Sequence, residues 1–65
     1  MTGTVKTINL EKGFGFIREK RSGKEYFFHR SAVKNIDFAD LDKGREVTFE
    51  DVDSPKGPRA EDIYV

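Results

Sequence analysis

The sequence predicts a small all-β protein whose short strands curl into a closed barrel. Apolar and polar residues alternate in short runs, which is the period of a half-buried strand rather than of a helix. Glycine and proline interrupt those runs where the chain must turn. With only 65 residues, five short strands must curl to bury an apolar face, and closure removes exposed sheet edges. A three-plus-two-stranded SH3-like barrel satisfies the same pattern, so both arrangements stay open.

Turn signals divide the chain into these strands. The first two turns are the stretches EKG (Glu11–Gly13) and KRSGK (Lys20–Lys24). The stretch DSPKGP (Asp53–Pro58) carries two prolines and a glycine, which end one strand and start a turn before the next. The five strands are predicted over Gly3–Leu10, Phe14–Glu19, Lys24–His29, Glu46–Asp53 and Pro58–Val65.

The alternation fades between Arg30 and Arg45. The stretch HRSAVKN predicts one short helical turn with Val33 packed inward, and DFADLDKG predicts a loop closed by Gly44. The chain shows no internal repeat, no low-complexity segment and no linker. We therefore expect a single domain over residues 1–65.

The composition argues against several classes of site. There is no cysteine, which removes disulfides and thiolate metal sites. The single histidine, His29, has no clustered carboxylate pair with which to hold a metal. No nucleophile motif, phosphate-binding loop or recognisable pair of catalytic carboxylates occurs. We therefore expect no enzymatic activity, no catalytic residue, no cofactor, no metal and no small-molecule substrate.

The hydropathy pattern contains no membrane or export signal. No apolar run is long enough to span a bilayer, and the start of the chain lacks the basic residues and apolar block of a signal peptide. These features predict a soluble, cytoplasmic protein with no membrane partner, and a monomer is the default expectation.

The net charge of zero conceals an uneven distribution of charge. Residues 1–34 carry eight basic and three acidic side chains, a net charge of +5, whereas residues 35–65 carry four basic and nine acidic ones, a net charge of −5. This split favours one basic surface suited to an anionic partner. Charges that simply cover a soluble surface give the same split, so the charge pattern alone leaves both interpretations open.

The stretch KGFGFIREK indicates which side of its strand is displayed. Strand alternation places Phe14 and Phe16 on one face. Lys12 and Arg18 share that face, whereas Ile17 lies on the other. Burying two unpaired cations costs more than exposing aromatic rings, so Ile17 is predicted inside and the rings outside. Unpaired bases can stack on such rings while the cations meet phosphates, although exposed aromatics also mark protein–protein patches.

The stretch EYFFHR is aromatic on both of its faces. Tyr26 and Phe28 share one face, and Phe27 and His29 share the other. Periodicity does not decide which face is inside, but His29 is the easier residue to expose, so Tyr26 and Phe28 are favoured as core. For His29, a hydrogen-bonded surface role and a base-stacking role both stay open.

Four stretches occur in a distinctive order along the chain: KGFGFI (Lys12–Ile17), YFFHRSAV (Tyr26–Val33), LDKGREVTFE (Leu41–Glu50) and KGPRAEDI (Lys56–Ile63). Together they resemble the cold-shock domain family over almost the whole chain. The first matches the family's first ribonucleoprotein motif, and the second is similar to its second motif, usually V-F-V-H-F-S-A-I. The last two resemble the family's final two strands in order and spacing.

This resemblance implies a five-stranded antiparallel OB-fold barrel that binds single-stranded RNA and DNA with low sequence specificity. It also implies an RNA chaperone-like activity that loosens RNA secondary structure, and it places Tyr26 and Phe28 in the core. Carried over by position, the stacking residues are Phe14, Phe16, Phe27, His29 and Phe38, with Lys6, Lys12 and Arg59 at the edge; Arg18 and Arg30 complete the candidate site.

The chain departs from the family pattern at three candidate stacking positions. Thr7 and Ile8 stand where the first strand usually carries Trp and Phe, and Arg30 stands where a further Phe is usual. Since each base stack contributes ~1–3 kcal/mol, we expect weaker affinity with a larger electrostatic share. Arg30 compensates in part, because a guanidinium can stack on a base and meet a phosphate. The lost rings also motivate a second hypothesis, a protein-interaction barrel with weakened or lost nucleic-acid binding.

Overall fold

The structure, a computed structural model, describes residues 1–65 and contains five strands and two short 3-10 helices. Every strand begins and ends within one residue of its predicted bounds, because glycine, proline and charged turn residues are strong local signals. The strands are β1 (Thr2–Asn9), β2 (Phe14–Glu19), β3 (Glu25–His29), β4 (Glu46–Ser54) and β5 (Gly57–Tyr64).

The strands close into a barrel in the order β1-β2-β3-β5-β4, with β4 returning to β1. The first three strands form an antiparallel meander, and β4 and β5 form an antiparallel hairpin. A parallel β3–β5 pairing at Phe27 and Arg59 joins the two parts, and a parallel bridge between Val33 and Ile63 continues it. The predicted five-stranded OB-fold barrel is confirmed, with this closure as its parallel element.

One contiguous apolar core fills the barrel. Tyr26 and Phe28 are both buried, and the Tyr26 ring packs 5.1 Å from the Phe49 ring between centroids. The inward face of β3 is therefore the one that the resemblance implied, and Ile17 is buried as the alternation predicted. The core residues are Val5, Ile17, Tyr26, Phe28, Ala32, Leu41, Val47, Phe49, Ala60 and Ile63.

Gly15 lies where the backbone of β2 is most crowded. A Cβ atom at this position would lie 2.8 Å from the Phe28 ring and would collide with the carbonyl oxygen of Thr7. Phe28 is fully buried and has no room to retreat. Glycine between the two outward phenylalanines therefore lets the inner face of β2 pack directly on the core.

The loop within the segment DSPKGP is shorter than the sequence predicts. Strand β4 continues to Ser54 and β5 starts at Gly57, so that only Pro55 and Lys56 lie between them. The Ser54 hydroxyl donates a hydrogen bond of 2.6 Å to the carbonyl of Gly57, which adopts a φ of +118°. Glycine tolerates that conformation, and this allows a tight hairpin where the two prolines suggest a longer break.

The segment between β3 and β4 contains two 3-10 helices, Arg30–Ala32 and Phe38–Asp40. The first is the predicted helical turn, but Ala32 is the buried residue, and Val33 is half-buried against the core. The second lies within the stretch that the sequence predicts to be a loop. A single turn of three residues is too short to leave a hydrophobic period in the sequence.

The turn between β2 and β3 is organised by the carboxylate of Glu19, which is 7% exposed. The Ser22 hydroxyl donates to it at 2.7 Å, and the backbone N–H groups of Arg21 and Ser22 donate at 3.0 and 3.2 Å. These bonds, the Ser22 hydroxyl first and then the Arg21 N–H, lower the pKa of Glu19 below 4.5, while desolvation opposes them. The turn is therefore held by an ionised side chain.

We expect Gly15→Ala to lower the free energy of unfolding by about 1–3 kcal/mol, the usual cost of overpacking a core. The added methyl group must displace Phe28 or part β2 from β1. Urea unfolding followed by circular dichroism measures the change as a shift of the midpoint. An unchanged midpoint would show that the backbone has room for a side chain here.

We expect Glu19→Gln to destabilise the protein at about pH 7 and to do so less at about pH 3. Because the pKa of Glu19 is lower in the folded state, its carboxylate contributes its full stabilisation above about pH 4.5. That contribution is lost as the pH falls through the lower folded-state pKa. Urea unfolding at both pH values measures the difference between the two proteins. Glu11→Gln, at an exposed position without side-chain hydrogen bonds, serves as control, and an equal pH response would contradict the assignment.

Candidate nucleic-acid interface

Strands β1, β2 and β3 align their outward side chains into three rows. Residues directly opposite in antiparallel strands share a face, so the register gives the rows directly. We call them the outer rows: Asn9–Phe14–His29, Thr7–Phe16–Phe27 and Thr4–Arg18–Glu25. Two rows carry rings and the third carries charge. The outward face therefore changes from aromatic to charged toward the turn between β2 and β3.

Three phenylalanines of the outer rows form one cluster, which we call the aromatic platform. The ring centroids of Phe14 and Phe27 are 5.6 Å apart, with planes inclined by 32°. Phe16 stands edge-on to both, at 6.4 Å from Phe14 and 5.8 Å from Phe27. All three side chains are half-buried, so their rings support one another while part of each aromatic surface stays open to solvent.

A bulge in β1 determines which residues of that strand lie beside the platform. The register passes from Val5 to Thr7, which leaves Lys6 as the extra residue and brings Thr7 opposite Phe16. Ile8 then pairs with Gly15 on the inner face and packs against the core. Of the two substituted positions in β1, Thr7 alone lies on the outer face.

His29 and Arg30 end β3 beside the platform. The His29 Nδ1 lies 3.1 Å from the Ser31 hydroxyl and accepts a 3.2 Å hydrogen bond from the Ser31 N–H. These contacts hold an exposed imidazole in one orientation. Both open roles of His29 therefore fit: the ring is hydrogen-bonded and also displayed in the Phe14 row.

The side chain of Arg30 lies across a glycine turn. A Cβ atom at Gly13 would come within 3.0 Å of the Arg30 Cδ, and the backbone N–H of Arg30 donates to the Gly13 carbonyl at 2.8 Å. Gly13 has a φ of +73°, a conformation that glycine adopts freely. The guanidinium forms no ion pair and so is available to an anion.

A cleft of about 730 Å³ separates the platform from the tip of the β4–β5 hairpin. Phe16, Phe27 and His29 line one side, and residues 54–59 line the other. Arg59 pairs with Glu61 at 2.6 Å, while its Nε is buried without a hydrogen-bond partner. The cleft thus combines aromatic surface with a guanidinium whose donors are only partly satisfied.

The remaining cations predicted for the site differ in whether they already form an ion pair. Lys12 is exposed and forms no ion pair, and Arg18 is exposed in the third outer row. Lys6 is paired with Glu25 across the sheet, so a phosphate must compete for it. Both partners are about half exposed, and such pairs contribute little in water.

Phe38 lies apart from the aromatic platform. Its ring packs 6.0 Å from that of Phe28, and the half-buried side chain lies against the core. The structure brings Phe14, Phe16, Phe27 and His29 together on the face, whereas Phe38 belongs to the segment between β3 and β4. A base-stacking role for Phe38 stays a prediction.

The hairpin tip that lines the cleft includes residues that the sequence analysis did not place in the site, namely Ser54, Pro55, Lys56, Gly57 and Pro58. The signal for them was the run of turn residues, which predicted a loop but not its position. The parallel pairing of Phe27 with Arg59 brings the tip beside the platform. That long-range contact leaves no periodic trace in the sequence.

Comparison with known families decides the assignment. The family model of the 'Cold-shock' DNA-binding domain matches residues 1–65. The chain belongs to the cold-shock domain family. Cold shock-like protein CspLB of Listeria monocytogenes is 50% identical over 62 residues, covering 95% of this chain and 92% of that protein. CspE of Bacillus anthracis is 48% identical over 63 residues, covering 97% and 92%, and CspI of Escherichia coli is 50% identical over 60, covering 92% and 86%.

Membership of this family confirms the resemblance found in the sequence motifs and places the chain among nucleic-acid-binding proteins rather than enzymes. No group of three or more His, Cys, Asp or Glu side chains is arranged to hold a metal ion. None of the helices has the length and apolar character needed to cross a membrane.

Proposed function

We propose that the protein binds single-stranded RNA and DNA with low sequence specificity on the aromatic platform. The observation that carries this proposal is the cluster of Phe14, Phe16 and Phe27, with partly open rings bordered by unpaired cations. Aromatic faces accept any unstacked base, whereas duplex bases are already stacked. The face therefore favours unpaired strands over duplexes.

The proposed action on RNA is passive. A protein that binds unpaired segments and not paired ones shifts a hairpin equilibrium toward the open form by mass action. No nucleotide hydrolysis is needed for this RNA chaperone-like effect. It acts in the cytoplasm and as a monomer in our proposal, as expected from the sequence.

Cations contribute an unusually large share of the affinity in this proposal. Thr7 leaves the row beside Phe16 without a ring, and Arg30 offers a guanidinium instead of one. Each phosphate contact on a single strand contributes about −0.7 to the slope of log affinity against log salt concentration. Of the cations predicted for the site, Lys12, Arg18 and Arg30 form no ion pair.

The alternative is a protein-interaction barrel with weakened or lost nucleic-acid binding. Its support is the same loss of rings at Thr7 and Arg30, combined with the apolar surface that the platform still exposes. An apolar protein partner needs no cations around the rings. Salt dependence therefore separates the two functions.

We expect Phe16→Ala to weaken binding of a labelled pyrimidine-rich single strand by ~1–3 kcal/mol, which is about 5- to 150-fold in Kd. Phe16 supports both other rings of the platform and lines the cleft. Fluorescence anisotropy at several salt concentrations measures the affinity and its salt slope, with a duplex as competitor.

Tyr64→Ala is the matched control, because Tyr64 is an aromatic residue 48% exposed on β5 and outside the outer rows. Binding that is saturable, salt-sensitive and selectively reduced by Phe16→Ala supports the proposal. A folded protein that binds no single strand at low salt would refute it and favour the protein-interaction alternative.

We expect Thr7→Trp to tighten single-strand binding by ~1–3 kcal/mol, the contribution of one added base stack. Thr7 lies opposite Phe16 and is exposed, so an indole there extends the platform. The indole also gives an intrinsic fluorescence signal in a chain that has no tryptophan. Thr48→Trp, at an exposed position on β4, is the control, and an equal gain from it would contradict a platform-specific effect.

A further inference from the structure

The turn between β2 and β3 carries a second basic surface, separate from the aromatic rings. A polar concavity of about 460 Å³ opens there, and no hydrophobic residue lines it. Three cations contribute to its lining together with two hydroxyls and one carboxylate: Arg18, Lys20, Arg21, Thr4, Ser22 and Glu19. We call the three cations the turn site.

The cations of the turn site are largely unneutralised. Arg18 and Arg21 form no ion pair. Lys20 approaches Glu46 at 3.4 Å, but the two side chains are 68% and 62% exposed, and an exposed pair of this kind contributes little in water. The positive potential of the concavity therefore remains available to an external anion.

The carboxylate of Glu19 holds the concavity in shape. It accepts three hydrogen bonds from Arg21 and Ser22 of the same turn, and the backbone N–H of Gly23 donates to the Glu19 carbonyl at 2.9 Å. Glu19 is also one of the residues that line the concavity, so its negative charge offsets part of the positive charge of the three cations. A preformed loop loses less conformational entropy on binding.

The turn site continues directly from the aromatic platform. Arg18 is two residues beyond Phe16 on the same face of β2, a distance of about 6.6–6.8 Å along the strand. Its guanidinium extends toward the turn, since its Nη2 lies 3.5 Å from where a Gly23 Cβ would be. A nucleic-acid strand that leaves the platform along this hairpin passes Arg18 and the Lys6–Glu25 pair before it reaches the concavity.

We propose that the turn site binds a backbone phosphate of the same single strand whose bases stack on the platform. Guanidinium and ammonium groups beside the hydroxyl of Thr4 are the donors that a phosphodiester takes. This inference rests on the proposed function and deepens it. It lengthens the footprint beyond the rings and adds affinity that carries no sequence information.

The test compares two doubly substituted proteins of equal net charge. Lys20→Gln/Arg21→Gln removes two turn-site cations and leaves every residue assigned to the platform intact. Lys43→Gln/Arg45→Gln removes the same two charges from exposed positions that line none of the three cavities. Each protein is titrated with labelled oligothymidylates of about four and about ten nucleotides, within the range of site sizes for an OB barrel.

We expect the unchanged protein to bind the longer strand with the greater salt slope. The turn-site variant should lose that excess, about 0.7 in slope for the one proposed phosphate contact, and bind the short strand as before. The control variant should keep the excess. Equal losses in both variants, or no length-dependent excess in the unchanged protein, would overturn the proposal.

Two further results separate this inference from others. If neither strand binds at low salt, the proposed function fails first. A titration with inorganic phosphate alone, followed through the amide resonances of Ser22 and Gly23, identifies a site for free phosphate. Resonance shifts there without any length-dependent gain in strand affinity would assign the concavity to free phosphate and reject the phosphodiester.

Discussion

The whole outer face of β1, β2 and β3 depends on the close packing of Gly15 against Phe28 and the backbone of β1. At Gly15 the Thr7 carbonyl oxygen and the Phe28 ring lie so close that no side chain fits. Because strand side chains alternate with a period of two, the inward position of Gly15 places its neighbours Phe14 and Phe16 on the outer face. Phe14 and Phe16 are displayed for this reason, and not because the surface around them is itself apolar.

The same alternation explains why so much of the fold could be predicted from the sequence. Strand bounds follow from local turn residues, and the burial of Ile17 follows from the cost of burying Lys12 and Arg18. The faces of β3 could not be assigned this way, since Tyr26, Phe27 and Phe28 are all suited to a core. There the family motif supplied the answer, and the burial of Tyr26 and Phe28 agrees with it.

What the sequence could not predict lies in contacts between distant segments. The bulge at Lys6, which turns Thr7 to the outer face and Ile8 to the inner face, depends on the pairing of β1 with β2. The cleft beside Phe27 depends on the parallel pairing with Arg59. The Lys6–Glu25 pair likewise exists only once the sheet has formed. Each of these contacts determines whether a candidate side chain is exposed, buried or paired, and none of them can be seen in the residue types alone.

The parallel and antiparallel closures of the barrel also have a consequence for how the chain folds. Phe16 pairs with Phe27 across a short hairpin, whereas Gly3 pairs with Val47 and Phe27 with Arg59 across much of the chain. Local pairings form before distant ones because they lose less chain entropy on closing. The hairpin that bears the rings is thus expected to form early, and the joining of β1 to β4 is expected to determine the folding rate.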